Sequence, residues 1–118
     1  LSISNFAYLT FNTTSEYPWR ITHCRNYSVN QLTVGSELAN KYQCNIISHH
    51  QHHLGIGYDR YKRFVVVDNG GLFDVNQIAY VKLDDNKMPN MVNGFTMLKN
   101  GCATLFGRAP FTDWNEYF

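Results

Sequence analysis

The chain has 118 residues, of which 44% are hydrophobic and 15% aromatic, while only 16% are charged and the formal net charge is +1. That balance supplies a real core and excludes disorder, which needs low hydrophobicity and a high charge density. It also gives no electrostatic footprint for DNA, RNA or anionic lipid, because ten Lys and Arg are scattered among nine Asp and Glu.

In chain order, FAYLTF alternates loosely and predicts an early strand, followed by the polar turn segment NTTSEYP. WRITHC predicts a short strand that delivers His23 at its carboxyl end. Ser28 and Gln31 fit a capping box before VNQLTVGSELANKYQ, in which Val29, Leu32, Leu38, Ala39 and Tyr42 recur at roughly helical spacing. Gly35 weakens that helix by about 1 kcal/mol relative to alanine. CNIIS follows as a strand, so strand, helix and strand form one unit of a layered α/β fold.

Beyond His53, RFVVVDN predicts a buried strand bounded by NGG, IAYVKL a further strand, and DDNKMPN a polar connection. Tyr58, Tyr61, Lys62 and Arg63 interleave aromatic and basic groups as a single-stranded nucleic-acid platform does, but they describe more simply a polar turn before a strand. GFTML and CATLFG flank KNG, the clearest hairpin signal in the chain. The tail RAPFTDWNEYF is aromatic without a period, which suits packing on the body of the fold or on a partner. No stretch reaches the ~20 apolar residues of a membrane span. Cys24, Cys44 and Cys102 form neither a CxxC pair nor an even framework, which predicts reduced thiols and a cytoplasmic setting. NTT at Asn12 and NYS at Asn26 match the glycosylation acceptor, a match without meaning outside a secretory context. The expected class is α/β: strand-helix-strand followed by antiparallel sheet, with residues 1–118 forming a single domain or the carboxyl-terminal half of a larger one.

Four of the five histidines fall within IISHHQHHLG. His50 and His52 are two positions apart, and in an extended segment they project to one face, with His49 and His53 alternating or lying at the turn. His23 can join them, because two parallel neighbouring strands joined by a helix end at the same edge, where open α/β sheets bind their ligands. Neutral imidazole suits borderline divalent metals such as zinc, manganese or iron. The other reading of the same pattern is a set of solvated or hydrogen-bonded histidines. A structural zinc site would be closed by four ligands and would usually include cysteine.

The order strand-His23, helix, hydrophobic strand and HHQHH resembles the carboxyl-terminal half of a calcineurin-like metallophosphoesterase, phage-borne members included. In that family a solitary histidine precedes Gly-His-x-His. His23 matches the solitary histidine, His50-Gln51-His52 matches His-x-His, and His49 stands where the family usually has glycine. YDRYKRFVVVDNGGLFD is similar to the family's return strand and glycine-bearing loop, and NGFTMLKNG to its late hairpin, so the resemblance spans residues 19 to 107. It implies a partial layered α/β-β sandwich of the metallophosphoesterase type. It implies also two divalent metal ions (Mn, Fe or Zn), with His23 and His50 as ligands of one and His52 as a ligand of the other, acting on a phosphate ester substrate. His49 and His53 would donate to phosphate oxygens or orient a ligand.

The family's amino-terminal half supplies Asp-x-His, Gly-Asp-x-x-Asp and Gly-Asn-His-Asp/Glu. None of these occurs in LSISNFAYLTFNTTSEYPWR, and Asp84 and Asp85 lie in the polar connection. The resemblance therefore implies a second polypeptide carrying the amino-terminal half, with this chain, virus-encoded or not, incomplete as a phosphoesterase by itself. The competing expectation is a non-enzymatic structural or interaction protein, viral in some settings, whose aromatic tail docks a partner and whose histidines are incidental.

Overall fold

The runs NIISH and VVVDN are apolar enough to be buried on both faces, as the central strands of a sheet covered on two sides must be. The computed structural model, which describes residues 7–72, 91–107 and 114–116, places them side by side. In chain order the elements are β1 (Tyr8–Phe11), β2 (Trp19–His23), α1 (Thr33–Tyr42), β3 (Asn45–His49), β4 (Leu54–Tyr58), β5 (Val65–Asn69), β6 (Gly94–Lys99) and β7 (Cys102–Gly107). A short 3₁₀ turn, Trp114–Glu116, lies in the aromatic tail. IAYVKL, DDNKMPN and the rest of that tail fall outside the described residues.

Five strands form one mixed sheet in the order β1-β2-β3-β5-β4, and β6 pairs with β7 in a separate antiparallel hairpin. β2, β3 and β5 run parallel, while β1 and β4 close the two sides antiparallel. The chain is therefore a mixed α/β protein, as the strand-helix-strand pattern leads one to expect. On one face Ile46 and Val66 pack with Ala39 of α1, Cys44 and Phe64. On the other, Trp19, Ile47 and Val67 pack with Leu98 of β6 and Ala103 and Leu105 of β7. Helix, sheet and hairpin are thus stacked as layers. Asn100 and Gly101 both take positive φ (50° and 77°), the demand of the two-residue turn that KNG signals. Among the described residues, no helix is long and apolar enough to cross a membrane.

Two local expectations are corrected. The capping box does not form: the Ser28 hydroxyl accepts the Asn30 N–H at 3.2 Å, and the Gln31 amide donates to the Leu54 carbonyl at 2.6 Å. The helix begins instead at Thr33, after Leu32 in the left-handed region at φ 62°. The Leu32 N–H, which a capping side chain of the preceding turn does not serve, donates to Asp68 Oδ2 at 2.6 Å. Tertiary partners have taken over the polar groups that a local cap would use.

The second correction is β4. LGIGY contains two glycines, which disfavour a strand, and Tyr58 reads as part of a turn, yet the segment pairs along the whole of β5. A Cβ at Gly57 would lie 2.9 Å from Leu32 Cδ1 and one at Gly55 3.3 Å from Gln31 Nε2, so the glycines admit the segment that leads into α1. The actual turn is organised by the buried Asp59, whose carboxylate accepts the N–H groups of Arg63 (2.6 Å), Phe64 (2.8 Å) and Tyr61 (3.2 Å) and the Asn40 amide (3.1 Å). Burial raises the pKa of this carboxyl, but these four donors outweigh it and hold the group below its ordinary value.

Two consequences can be measured by urea unfolding. Helix propensity alone makes Gly35→Ala stabilising by about 1 kcal/mol. An added Cβ would, however, overlap Val66 Cγ1, a stiff β-branched group in the core, so the variant should lose about 1–2 kcal/mol net; an unchanged or raised midpoint would refute this close seating of α1. Asp59→Asn should cost about 2–3 kcal/mol at neutral pH through its weakened charge-assisted hydrogen bonds. Because the folded carboxyl has the lower pKa, its stabilisation is complete above the unfolded value of ~4 and is lost as the pH falls through the folded value. The gap between wild type and Asp59→Asn should accordingly close on acidification, and a gap constant down to pH ~2 would count against the charged carboxylate as its source.

Candidate metal centre

Parallel strands with right-handed crossovers end on one side of a sheet. Here β2, β3 and β5 end at His23, His49 and Asn69. His23 and His49 are register partners, and both line a groove of about 250 Å³ with Tyr8, Leu9, Ile21 and Thr22, so their side chains share a face. The adjacent positions Thr22, Ser48 and Asp68 form the next lateral row. There Asp68, 2% exposed, accepts the Ser48 hydroxyl at 2.8 Å through Oδ1 and the Leu32 N–H through Oδ2. A carboxylate at the entry to α1 is favoured by the helix dipole as well as by these donors.

Residues 50–53 carry the chain from β3 across the end of β5 into β4. That short crossing explains why HHQHH does not continue as an extended segment: His50 and His52 take φ of 93° and 62°. The expectation that they project to one face by strand alternation is thereby corrected. The crossing is anchored from within. Gln51 is buried, and its Oε1 accepts the Ser28 N–H at 3.2 Å. The His52 carbonyl accepts the Val92 N–H at 2.8 Å, and the His53 carbonyl accepts the Gly70 N–H. The buried His53 ring sets its Nδ1 3.8 Å from Asp68 Oδ2.

With Gln51 and His53 turned inward, His50 is left exposed, and its ring stands edge-to-face with that of His23 at 5.1 Å between centroids. Two of the three expected ligands are thus brought together, while His52 lies half-buried on the same crossing. Burial lowers the pKa of His49, and His23 lowers it further; burial also lowers that of His52, helped by His50, His23 and His53. His53 is lowered by burial, with Asp68 pulling the other way. Burial thus favours the neutral form of His49, His52 and His53, the form in which a ring nitrogen offers a lone pair to a cation. Among the described residues, no three His, Cys, Asp or Glu side chains form a ready-made ligand set.

Two participants at this edge are left out of the ligand set that the sequence suggests. Asp68 and Asn69 stand before the Gly70-Gly71 pair, which in the sequence is first of all a turn signal, although the rule that places His23 at the edge applies equally to the end of VVVDN. Asn69 Nδ2 lies 3.3 Å from His49 Nδ1. The buried Cys24 thiol, its pKa raised chiefly by burial, donates to the His49 carbonyl at 3.4 Å and so acts on the backbone of the edge. All three cysteines are free.

Comparison with protein-family models, with curated proteins and with solved structures finds no match. The functional reading accordingly rests on these residues and their arrangement.

Asp68 should matter more to stability than its hydrogen-bond count alone suggests. Asp68→Ala strands the Leu32 N–H and leaves the Ser48 hydroxyl only its longer, 3.3 Å bond to the Val67 carbonyl, and should cost about 2–3 kcal/mol, whereas Ser48→Ala should cost about 1 kcal/mol. Equal losses in urea midpoints would disprove Asp68 as the tie between β3, β5 and α1.

Proposed function

We propose that the chain is the histidine-bearing, carboxyl-terminal portion of a metal-dependent phosphoesterase of the calcineurin-like type. The observation that carries this reading is the approach of the His23 and His50 rings to 5.1 Å at the carboxyl edge of a parallel pair, β2 and β3, in the chain order of the motif that HHQHH resembles. The donor chemistry fits: neutral imidazoles are good ligands for Mn, Fe or Zn. His23 and His50 would hold one ion and His52 the other. When bound, such ions neutralise charge on a phosphoryl oxygen and make a water nucleophilic near neutral pH.

The protein's own part in this reading is to orient and to exclude. The buried Gln51 and His53 hold the crossing so that His50 faces His23, and Asp68 holds the ends of β3 and β5 to α1. Three imidazoles leave a two-metal site short of ligands and of a bridging carboxylate. The proposal therefore includes a second polypeptide that brings the Asp-bearing motifs to this edge, with a phosphate ester as substrate.

A second reading, a non-enzymatic interaction protein, draws support from a different place. Edge strand β4 exposes Ile56 (45%) and Tyr58 (62%) beside a groove of about 400 Å³ that also reaches Trp19 and Cys102.

Hydrolysis of bis(p-nitrophenyl) phosphate and p-nitrophenyl phosphate separates the two. The complex of this chain with a copurifying, Asp-bearing chain should be active with Mn²⁺ and inactive after chelation, and His23→Ala, His50→Ala or His52→Ala should each lower kcat/KM at least about 100-fold. A Mn²⁺-saturated complex that cleaves neither ester would sink the phosphoesterase reading and leave the interaction protein.

A further inference from the structure

The position that breaks the family pattern is His49, which stands where the resemblance has glycine. It is also the histidine most firmly placed at the edge. It ends β3, pairs in register with His23, lines the same groove, and meets Asn69 from the end of β5. His23 therefore stands between two imidazoles, His49 beside it in the sheet and His50 against its ring.

We propose that His49, oriented by Asn69, joins His23 and His50 as a ligand of a single divalent cation, so that this chain by itself loads one ion through three imidazoles. The inference rests on the phosphoesterase reading for the class of ion, and it adds a ligand which that resemblance does not supply. Neighbouring strands are ~4.8 Å apart, and imidazole nitrogens bind zinc at ~2.0–2.1 Å, so same-face side chains on adjacent strands can converge on one ion by rotation about their side-chain torsions. His23 and His50 are exposed, and such rotation leaves the core undisturbed.

Asn69 supplies the orienting contact. In its present orientation the amide Nδ2 faces His49 Nδ1, while the buried Oδ1 has no hydrogen-bond partner. Turning the amide over replaces one hydrogen bond by another: Oδ1 accepts the Nδ1–H, and the lone pair moves to Nε2, the nitrogen farther from the backbone. Because Oδ1 holds no bond to lose, the reversal sacrifices none on that side. An outer hydrogen bond that fixes the tautomer of a ligating histidine is the usual support of such a ligand.

Co²⁺ titrated into the full chain, followed by calorimetry and visible absorption, reads stoichiometry and coordination together. One ion per chain is expected, with the intense absorption of a four-coordinate site completed by solvent. His49→Ala should weaken binding at least about 30-fold and Asn69→Ala about 10-fold, while Asn69→Asp, which keeps an acceptor for Nδ1–H, should bind at least as tightly as wild type. Near-UV circular dichroism reports whether each variant keeps its fold. In the wild type itself, ring ¹⁵N shifts on adding Zn²⁺ should mark coordination at His49 Nε2, a readout that needs no substitution. Wild-type affinity in a folded His49→Ala chain, an unshifted His49 ring, or no uptake of Co²⁺ by the wild type would each overturn the inference. Ester hydrolysis by the two-chain complex with His49→Ala unimpaired would remove His49 and leave the phosphoesterase reading standing. Uptake through His49 in a complex that cleaves no ester would do the reverse.

Discussion

The passage of the chain over the end of β5 in residues 50–53 is the constraint on which the edge depends. Because β5 is inserted between β3 and β4, the connection from β3 cannot be a simple hairpin to its neighbour in the sheet. It must run along the edge where the parallel strands stop, with its own polar groups satisfied there. Gln51 and His53 are buried in doing so, and the backbone of His52 and His53 is tied to Val92 and Gly70. Histidines on such a crossing lie over the strand ends without any need for strand alternation, and positive φ at His50 and His52 is the local cost, of order 1–3 kcal/mol per residue.

Asp68 joins this crossing to the rest of the fold. Its two oxygens serve β3 through Ser48 and the entry of α1 through Leu32, and the His53 ring stands beside it. A buried carboxylate is tolerable only when its acceptors are filled, and filling them aligns three elements at once. At the opposite side of the helix layer Asp59 does the same for the β4–β5 turn, with the Arg60 N–H held by Ser36 and the Arg63 guanidinium by Asn40, all on α1. Arg20 closes the remaining side, its guanidinium 3.8 Å from both the Tyr8 and the Tyr42 ring centroids. The helix is thus seated by polar contacts around a small apolar centre, and the close approach at Gly35 follows from that seating.

The chemistry available at the edge follows from which groups are gathered there. Imidazoles brought together where three parallel strands end offer ring nitrogens to a cation, and burial favours the neutral form of His49 and His52 among them. Apolar groups of β1 and β2 border it, so that a ligand or a partner seated in the groove would meet His23 and His49 directly. The two edge strands, β1 and β4, differ in what they offer: the first adjoins the histidines, the second an apolar groove beside the hairpin turn.

Much of the architecture is written in local pattern. Alternation in WRITH and the buried runs NIISH and VVVDN mark the central strands, KNG marks the hairpin, and helical spacing marks α1. From these the placement of His23 at a carboxyl edge follows, because the helix carries the chain back along the sheet, so that the two strands run parallel and end at the same edge. What only the tertiary structure decided lies wherever a long-range partner outbids a local preference. LGIGY is a strand because β5 pairs with it and its glycines admit Gln31 and Leu32; Ser28 and Gln31 do not cap because Asn30 and Leu54 claim them; Asp68 and Asn69 are edge residues before they are turn residues. The strand order, with β5 between β3 and β4, is likewise invisible in local periodicity, and it alone turns HHQHH from an extended strand end into a crossing that sets His50 against His23.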